Sequence, residues 1–212
     1  MCESSNKKAP IIVAATSNPH KIVEIDAITK SYGLNVISRK AAGVPDDFDV
    51  VEDGDTFEAN SFKKAFETMK LTGLPSVSDD SGLEVDFLQG APGVYSARYA
   101  GIEGPSADGE NRKKLLEALK DVPWDKRTGR FVSVITLVYP DKEALVARGE
   151  CQGHIAMEEK GDSGFGYDSL FIPQGQTLTF GEIASEKKNE ISHRGNALKK
   201  LALLLEALDY ES

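Results

Sequence analysis

The stretch Ile11-Ile12-Val13-Ala14-Ala15-Thr16-Ser17-Asn18-Pro19-His20-Lys21 decides the architecture. Five apolar residues in a row, bounded by Pro10 and by a polar turn, read as a short strand covered on both faces. Asn18 then supplies a helix N-cap and Pro19 the first helical position. Ile22, Ile25, Ile28 and Tyr32 follow at helical spacing, Gly33 ends the helix, and Leu34 to Ser38 reads as the next strand. Strand, turn, helix, strand is the opening of an α/β fold. It also places a helix start at the end of a buried strand. Backbone N–H groups there are unpaired and the helix dipole favours an anion, so Thr16, Ser17, Asn18 and Lys21 suit a phosphate. The spacing of a Walker A loop is absent.

Outward from this stretch the chain continues in the same style. Lys40 to Thr56 is an acidic loop, and Phe57 to Leu71 a helix with Phe62, Ala65, Phe66 and Met69 on one side. Ser76 to Asp79 and Leu83 to Phe87 read as two short strands around the turn Asp80-Ser81-Gly82. Leu88 to Pro105 is loop-like, and Ala107 to Lys120 helical. Arg130 to Tyr139 and Glu143 to Cys151 form a hairpin about Pro140-Asp141-Lys142. A glycine-rich loop at Gly161 to Gly166 precedes a strand at Leu170 to Ile172. The last helix, from Ser192 to Leu208, carries a stripe at Leu198, Leu201, Leu205 and Leu208. Residues 1–9 are polar and read as a flexible segment; 10–212 offer no linker long enough to separate two independent domains.

Composition narrows the function classes. The chain has 212 residues, 40% hydrophobic and 28% charged, with a net charge of −9. It is long enough for a core without staples. Its charge gives no long-range attraction for nucleic acid or an anionic membrane, so neither is an expected partner. Two cysteines exclude a disulfide framework and suit a reducing compartment. No apolar run reaches the roughly 18 residues of a transmembrane helix. The expectation is a cytoplasmic protein.

Several clusters carry chemistry. Asp79-Asp80-Ser81-Gly82 places adjacent carboxylates at a strand end, where a pair of oxygens can bind Mg²⁺ and activate water. Glu52, in the acidic loop, is a candidate to join Asp80 on the metal. Gly164-Phe165-Gly166-Tyr167-Asp168 lets backbone approach a ligand and offers an aromatic stacking face. Lys187-Lys188-Asn189-Glu190-Ile191-Ser192-His193-Arg194 is a basic cluster, with Ser192 as N-cap and cations in the first helical turn. Cations there oppose the helix dipole, which suggests a nearby anion or polar base edge. A phosphate-binding helix end, a carboxylate metal site, an aromatic base slot and a basic cluster are the parts needed to attack the phosphate chain of a nucleotide.

Thr16-Ser17-Asn18-x-x-Lys21, Ser78-Asp79-Asp80-Ser81-Gly82-Leu83, Gly90-Ala91-Pro92-Gly93-Val94-Tyr95-Ser96-Ala97-Arg98, Gly164-Phe165-Gly166-Tyr167-Asp168 and Ile191-Ser192-His193-Arg194 occur in this order. The set resembles the inosine triphosphate pyrophosphatase family, over about Ile11 to Leu208. The resemblance implies an elongated, two-lobed α/β fold around a long mixed central sheet. Helices lie on both faces, the active-site cleft lies between the lobes, and the assembly is usually a homodimer. It implies Mg²⁺-dependent hydrolysis of ITP, dITP and XTP to the monophosphate and pyrophosphate. Carried over by position, Thr16, Ser17, Asn18, Pro19, His20 and Lys21 hold phosphate with the help of Lys64. Glu52 and Asp80 hold Mg²⁺, Asp80 is the proton acceptor, and Ser81 lies beside the substrate. Phe165, Gly166, Tyr167 and Asp168 cradle the base, and Lys188, His193 and Arg194 read or clamp it. Ala59 stands before Asn60 where many bacterial members carry an acidic residue, which leaves Glu52 as the expected ligand. The alternatives are a pyrophosphatase for other modified nucleotides and a non-catalytic nucleotide-binding regulator.

Overall fold

The computed structural model describes residues 11–16, 18–30 and 33–210. The segment 1–9, Ser17, Tyr32 and the side chains of His20, Ile28 and Leu208 lie outside the described residues. Six strands form one mixed sheet in the order β2-β1-β3-β4-β5-β6. β1 (Ile11–Ala14) runs parallel to both β2 (Asn35–Ser38) and β3 (Ser76–Val85). β3, β4 (Thr128–Val138), β5 (Leu145–Ile155) and β6 (Phe171–Pro173) are antiparallel neighbours. The helices are α1 (Pro19–Thr29), α2 (Phe57–Thr72), α3 (Ala107–Ala118), α4 (Ser185–Ile191) and α5 (His193–Tyr210).

The three long strands thread two apolar clusters. One gathers Ile12, Val77, Ile135, Leu137 and Ala147 under Ala197, Leu198 and Leu201 of α5. The other gathers Leu83, Val85, Phe131, Cys151 and Ile155 with Leu115 and Leu119, Leu170 and Phe180. Asp79, Asp80 and Ser81 lie on β3 between the two. Alternation along the strand sends Asp79 and Asp80 to opposite faces. Asp79 shares the face packed by α5, and Asp80 the face packed by α2, where Phe57 meets Val132 and Val134.

Two expectations need correction. The two short strands around Asp80-Ser81-Gly82 are one ten-residue strand, paired with β4 from Ser76↔Val138 to Val85↔Gly129. The glycine there does not turn the chain. A Cβ on Gly82 would lie 2.5 Å from both the Gly93 carbonyl and Ser96 Oγ, so glycine admits the helical turn Gly93–Arg98 against the sheet. The inward face of α2 is polar: Asn60, Ser61, Lys64 and Thr68 are buried beside Ala65, while Phe62 is 42% exposed and stacks on Phe66. Ser61 explains how such a face packs, since its Oγ donates to the Val134 carbonyl at 2.9 Å and lies 2.7 Å from Ser78 Oγ. The last helix begins where the sequence predicts, and Lys187 to Glu190 lie in the short helix before it, α4. Ser192 lies at the junction and caps α5, accepting from the Gly195 N–H at 3.1 Å.

Candidate active site

β1 ends at Ala14, opposite Val77, so beyond that point the edge of β3 has no strand beside it. A cleft opens there, at the carboxyl ends of β1 and β2, the usual ligand position in α/β sheets. Asn18 caps α1 as the sequence predicts, accepting from the Lys21 N–H at 3.3 Å. Lys21 Nζ thereby reaches Asp79, 2.9 Å from Oδ2 and 3.3 Å from the carbonyl. From α2, Lys64 Nζ meets the same carbonyl at 3.1 Å, together with Asp80 Oδ1 at 2.8 Å and Glu52 Oε2 at 3.0 Å. Asn60 holds the acidic loop in place. Its side chain accepts from the Gly54 N–H at 2.8 Å and donates to the Gly54 carbonyl at 3.2 Å, which points Glu52 inward.

The adjacent aspartates have opposite electrostatics. Burial raises the pKa of Asp79, but Arg194, Lys21 and the Ser133 hydroxyl outweigh it and hold the carboxyl well below its usual range. Burial also dominates at Asp80 and is only partly offset by Lys64 and Lys21. A hydrogen bond shared with Glu52 raises the value further, and Asp80 reaches about 6. Two neighbouring carboxylates facing a cleft are a donor set that suits a hard divalent ion. Among the described residues no third His, Cys, Asp or Glu joins them. A Mg²⁺ ion that keeps several waters and takes substrate oxygens needs only such a pair.

Thr16, Asn18, Lys21, Glu52, Lys64, Asp80 and Ser81 line one cavity, with Arg39, Asp49 and Arg98. Asn18, Lys21 and Ser81 also line a second, more apolar cavity walled by Phe165, Gly166, Tyr167, Asp168, Lys188, His193 and Arg194. The shared residues make the two cavities one cleft with a polar end and an aromatic end. Pro19 is exposed and lines neither cavity. Its role is to start α1.

At the aromatic end the basic cluster is neutralised from within. Arg194 is buried and pairs with Asp79 Oδ2 at 3.0 Å and with Glu24 of α1. Lys188 Nζ pairs with Glu24 at 2.8 Å and Asp168 at 2.9 Å, and lies 5.4 Å from the centre of the Phe165 ring. The anion that the cationic helix start called for is therefore carried by the protein itself. Burial, then the neighbouring Arg194, keeps His193 far below its ordinary value and neutral, stacked 4.7 Å from Phe131. Asp168 shapes the loop, accepting from the Phe165 N–H at 2.8 Å. Tyr167 donates to the Ser96 carbonyl at 2.9 Å across the cavity.

The Ham1 family model matches residues 12–204. The chain belongs to the Ham1 family. That agrees with the resemblance carried by the five motifs. A dITP/XTP pyrophosphatase from Clostridium perfringens is 49% identical over 195 residues, covering 89% of this chain and 94% of that protein. One from Mannheimia succiniciproducens is 46% identical, covering 90% and 95%. The Ham1 protein of Staphylococcus aureus superimposes with a TM-score of 0.81 at 39% identity, over 93% of this chain and 98% of that one. A HAM1 protein from Coxiella burnetii gives 0.82 at 38% identity, over 93% and 99%.

Within this Ham1 protein, sequence reasoning missed Glu24, Arg39 and Asn60. Glu24 lies one helical turn beyond Lys21, a spacing that places both on one face of α1, and this was the available signal. Arg39 directly follows β2, at the strand end where α/β sheets expose ligand-binding residues. Among the described residues it forms no ion pair with a carboxylate, and its guanidinium lies 5.8 Å from the Phe48 ring centre.

Proposed function

We propose that this protein hydrolyses deaminated purine nucleoside triphosphates, ITP, dITP and XTP, to the monophosphate and pyrophosphate. The observation that carries the reading is the Asp79–Asp80 pair, with Asp80 lining the polar cavity next to Ser81, which both cavities share. One carboxyl is locked into ion pairs. The other is raised to about 6 and faces the cleft. The aromatic end takes the base and the polar end the phosphate chain, with the bond between the α and β phosphates near Ser81 and Lys21. Asp80 accepts a proton from the attacking water, for which a pKa near neutrality is suited. The water oxygen bonds to phosphorus, the bridging P–O bond breaks, and pyrophosphate leaves. Lys21, Lys64, Arg39 and Arg98 stabilise the charge that develops on the phosphate oxygens.

The reading includes Mg²⁺, held by Glu52 and Asp80. When bound it would supply Lewis-acid neutralisation of the phosphate oxygens. The base slot sets cations, Lys188 and Arg194, beside the carboxylates of Asp108 and Asp168. Lys188 and the Arg194 guanidinium accept nothing, so a 6-keto oxygen facing them finds partners and a 6-amino group facing them does not. The reading also includes a homodimer acting on free cytoplasmic nucleotides. Among the described residues no helix is long and apolar enough to cross a membrane. The test is release of pyrophosphate rather than orthophosphate from ITP, dITP and XTP, by wild type and by Asp80→Asn. Wild type should release pyrophosphate with Mg²⁺ present. The variant should lose turnover by at least a hundredfold while still binding ITP. Normal turnover in the variant would remove Asp80 from the chemistry.

A further inference from the structure

One face of α3 grips both walls of the aromatic cavity. Asp108, Asn111 and Arg112 are spaced to share that face. Asp108 Oδ2 accepts from the Gly166 N–H at 2.8 Å, and Arg112 Nη1 donates to the Gly166 carbonyl at 2.9 Å. Arg112 is steadied by Glu159, 2.8 Å from its Nε. Asn111 Nδ2 donates across to the carbonyls of Ser96 at 3.3 Å and Ala97 at 3.0 Å, and its Oδ1 accepts from the Ala100 N–H at 2.6 Å. The helix is anchored at its far end. Leu115 is fully buried, and the buried Arg127 donates to the Leu119 carbonyl at 2.9 Å.

We infer that Asp108 and Arg112 are positioning residues that set base discrimination by holding the Gly166 peptide groups turned away from the base. The inference rests on the aromatic cavity being the base slot. Gly166 has φ +60°, and a glycine there lets the peptides on either side of it rotate cheaply. Both of its polar groups are taken by α3, and the neighbouring Phe165 N–H is taken by Asp168. The loop therefore adds no Gly166 carbonyl to a slot whose cations only donate. Released from Arg112, that carbonyl can turn inward. It would then accept from the 6-amino group of adenine or the 2-amino group of guanine, the purines a deaminated-nucleotide enzyme must reject. Asp108 also lines the slot, and its Oδ2 is engaged by the Gly166 N–H.

The experiment measures kcat/KM for ITP, GTP and ATP on single preparations of wild type, Asp108→Ala, Asp108→Asn and Arg112→Ala. The ratio between two substrates on one preparation is independent of the fraction of folded enzyme, so partial misfolding leaves it readable. The ITP-to-GTP and ITP-to-ATP ratios should fall at least tenfold in Asp108→Ala and Arg112→Ala. Asp108→Asn, which keeps an oxygen for the Gly166 N–H, should restore most of the loss. Equal losses on all three substrates, or Asn behaving as Ala, would show a structural brace and overturn the inference. A wild type without preference for ITP would instead overturn the reading of the slot.

Discussion

Asp79 and Asp80 are neighbours in sequence, and the same Asp→Asn change should move stability in opposite directions. Asp79 neutralises Lys21 and Arg194 in the interior. Removing its charge leaves the buried Arg194 and the half-buried Lys21 short of a partner, a loss of about 3–5 kcal/mol. Asp80 is ionised at a cost. Its folded pKa of about 6 lies above the ordinary 3.8. That is roughly 2 pK units at 1.36 kcal/mol each, or about 3 kcal/mol against the folded state at pH 7. For 212 residues the unfolding entropy is about 0.45 kcal/mol/K. Asp79→Asn should then lower Tm by about 7–11 °C and Asp80→Asn raise it by about 7 °C. The pH dependence separates the two further. A raised acid binds more protons folded than unfolded between 3.8 and about 6, so its penalty grows across that window and is complete above it. The gain in Asp80→Asn should therefore shrink to about 1 kcal/mol at pH 4.5. Asp79 has a depressed folded pKa, so its contribution is full above the unfolded value and fades only in stronger acid. The loss in Asp79→Asn should persist at pH 4.5. Thermal and urea melts at pH 7.5 and 4.5, beside a pyrophosphate assay, decide the matter. Shifts of the same sign in the two variants at pH 7.5 would refute the assignment of which carboxyl is structural and which catalytic.

Other consequences are open to simple assays. Arg39→Gln should raise KM for ITP about tenfold, the worth of one charge-assisted hydrogen bond, and weaken inhibition by pyrophosphate while leaving inhibition by IMP unchanged. Gly149→Ala should destabilise the fold by about 1–3 kcal/mol and reduce turnover, because the new Cβ would sit 2.2 Å from the His193 carbonyl and Ala197 N and push α5 off the sheet; an unchanged melt would refute that contact. Chelation of divalent ions should weaken binding of ITP itself by at least an order of magnitude, as read by calorimetry, and not only stop its hydrolysis.

Local patterning made the α/β opening, the α1 cap, the central hairpin and the Ser192 cap legible, because each is fixed by residues within one turn or one strand. It failed where distant partners decide. Asp80-Ser81-Gly82 has turn chemistry on its own, yet an unbroken ladder with β4 keeps it extended, and the glycine makes room for Gly93 and Ser96, eleven and fourteen residues away. The apolar side of α2 was legible but faces outward, since the helix spends its inner face on Asn60, Ser61 and Lys64. Glu24 pairs with residues 164 and 170 positions later, a distance no periodicity spans. The motifs named the cleft's residues; the structure shows that many of them hold one another.

That mutual pairing bears on how an acidic protein takes a polyanion. The phosphate end of the cleft presents Lys21, Lys64, Arg39 and Arg98, and against them Asp49, Glu52, Asp80 and the adjoining Asp79. Four cations meet four carboxylates, so the cleft has almost no net charge to offer. The charge of −9 on the whole chain matters little here, because it is screened beyond about 8 Å at physiological salt. Within the cleft, charges 4 Å apart interact by about 4 kcal/mol, so local balance governs binding. A divalent ion on Glu52 and Asp80, as proposed, would change that balance. It would also release Lys64 Nζ, which bridges the same two carboxylates. Once released, Lys64 can turn to the phosphate chain, beside Lys21 at the Asp79 carbonyl where both lysines already converge. On the proposed reading the carboxylates would gather cations for the substrate, a physical reason for an anion-binding site to be rich in acids.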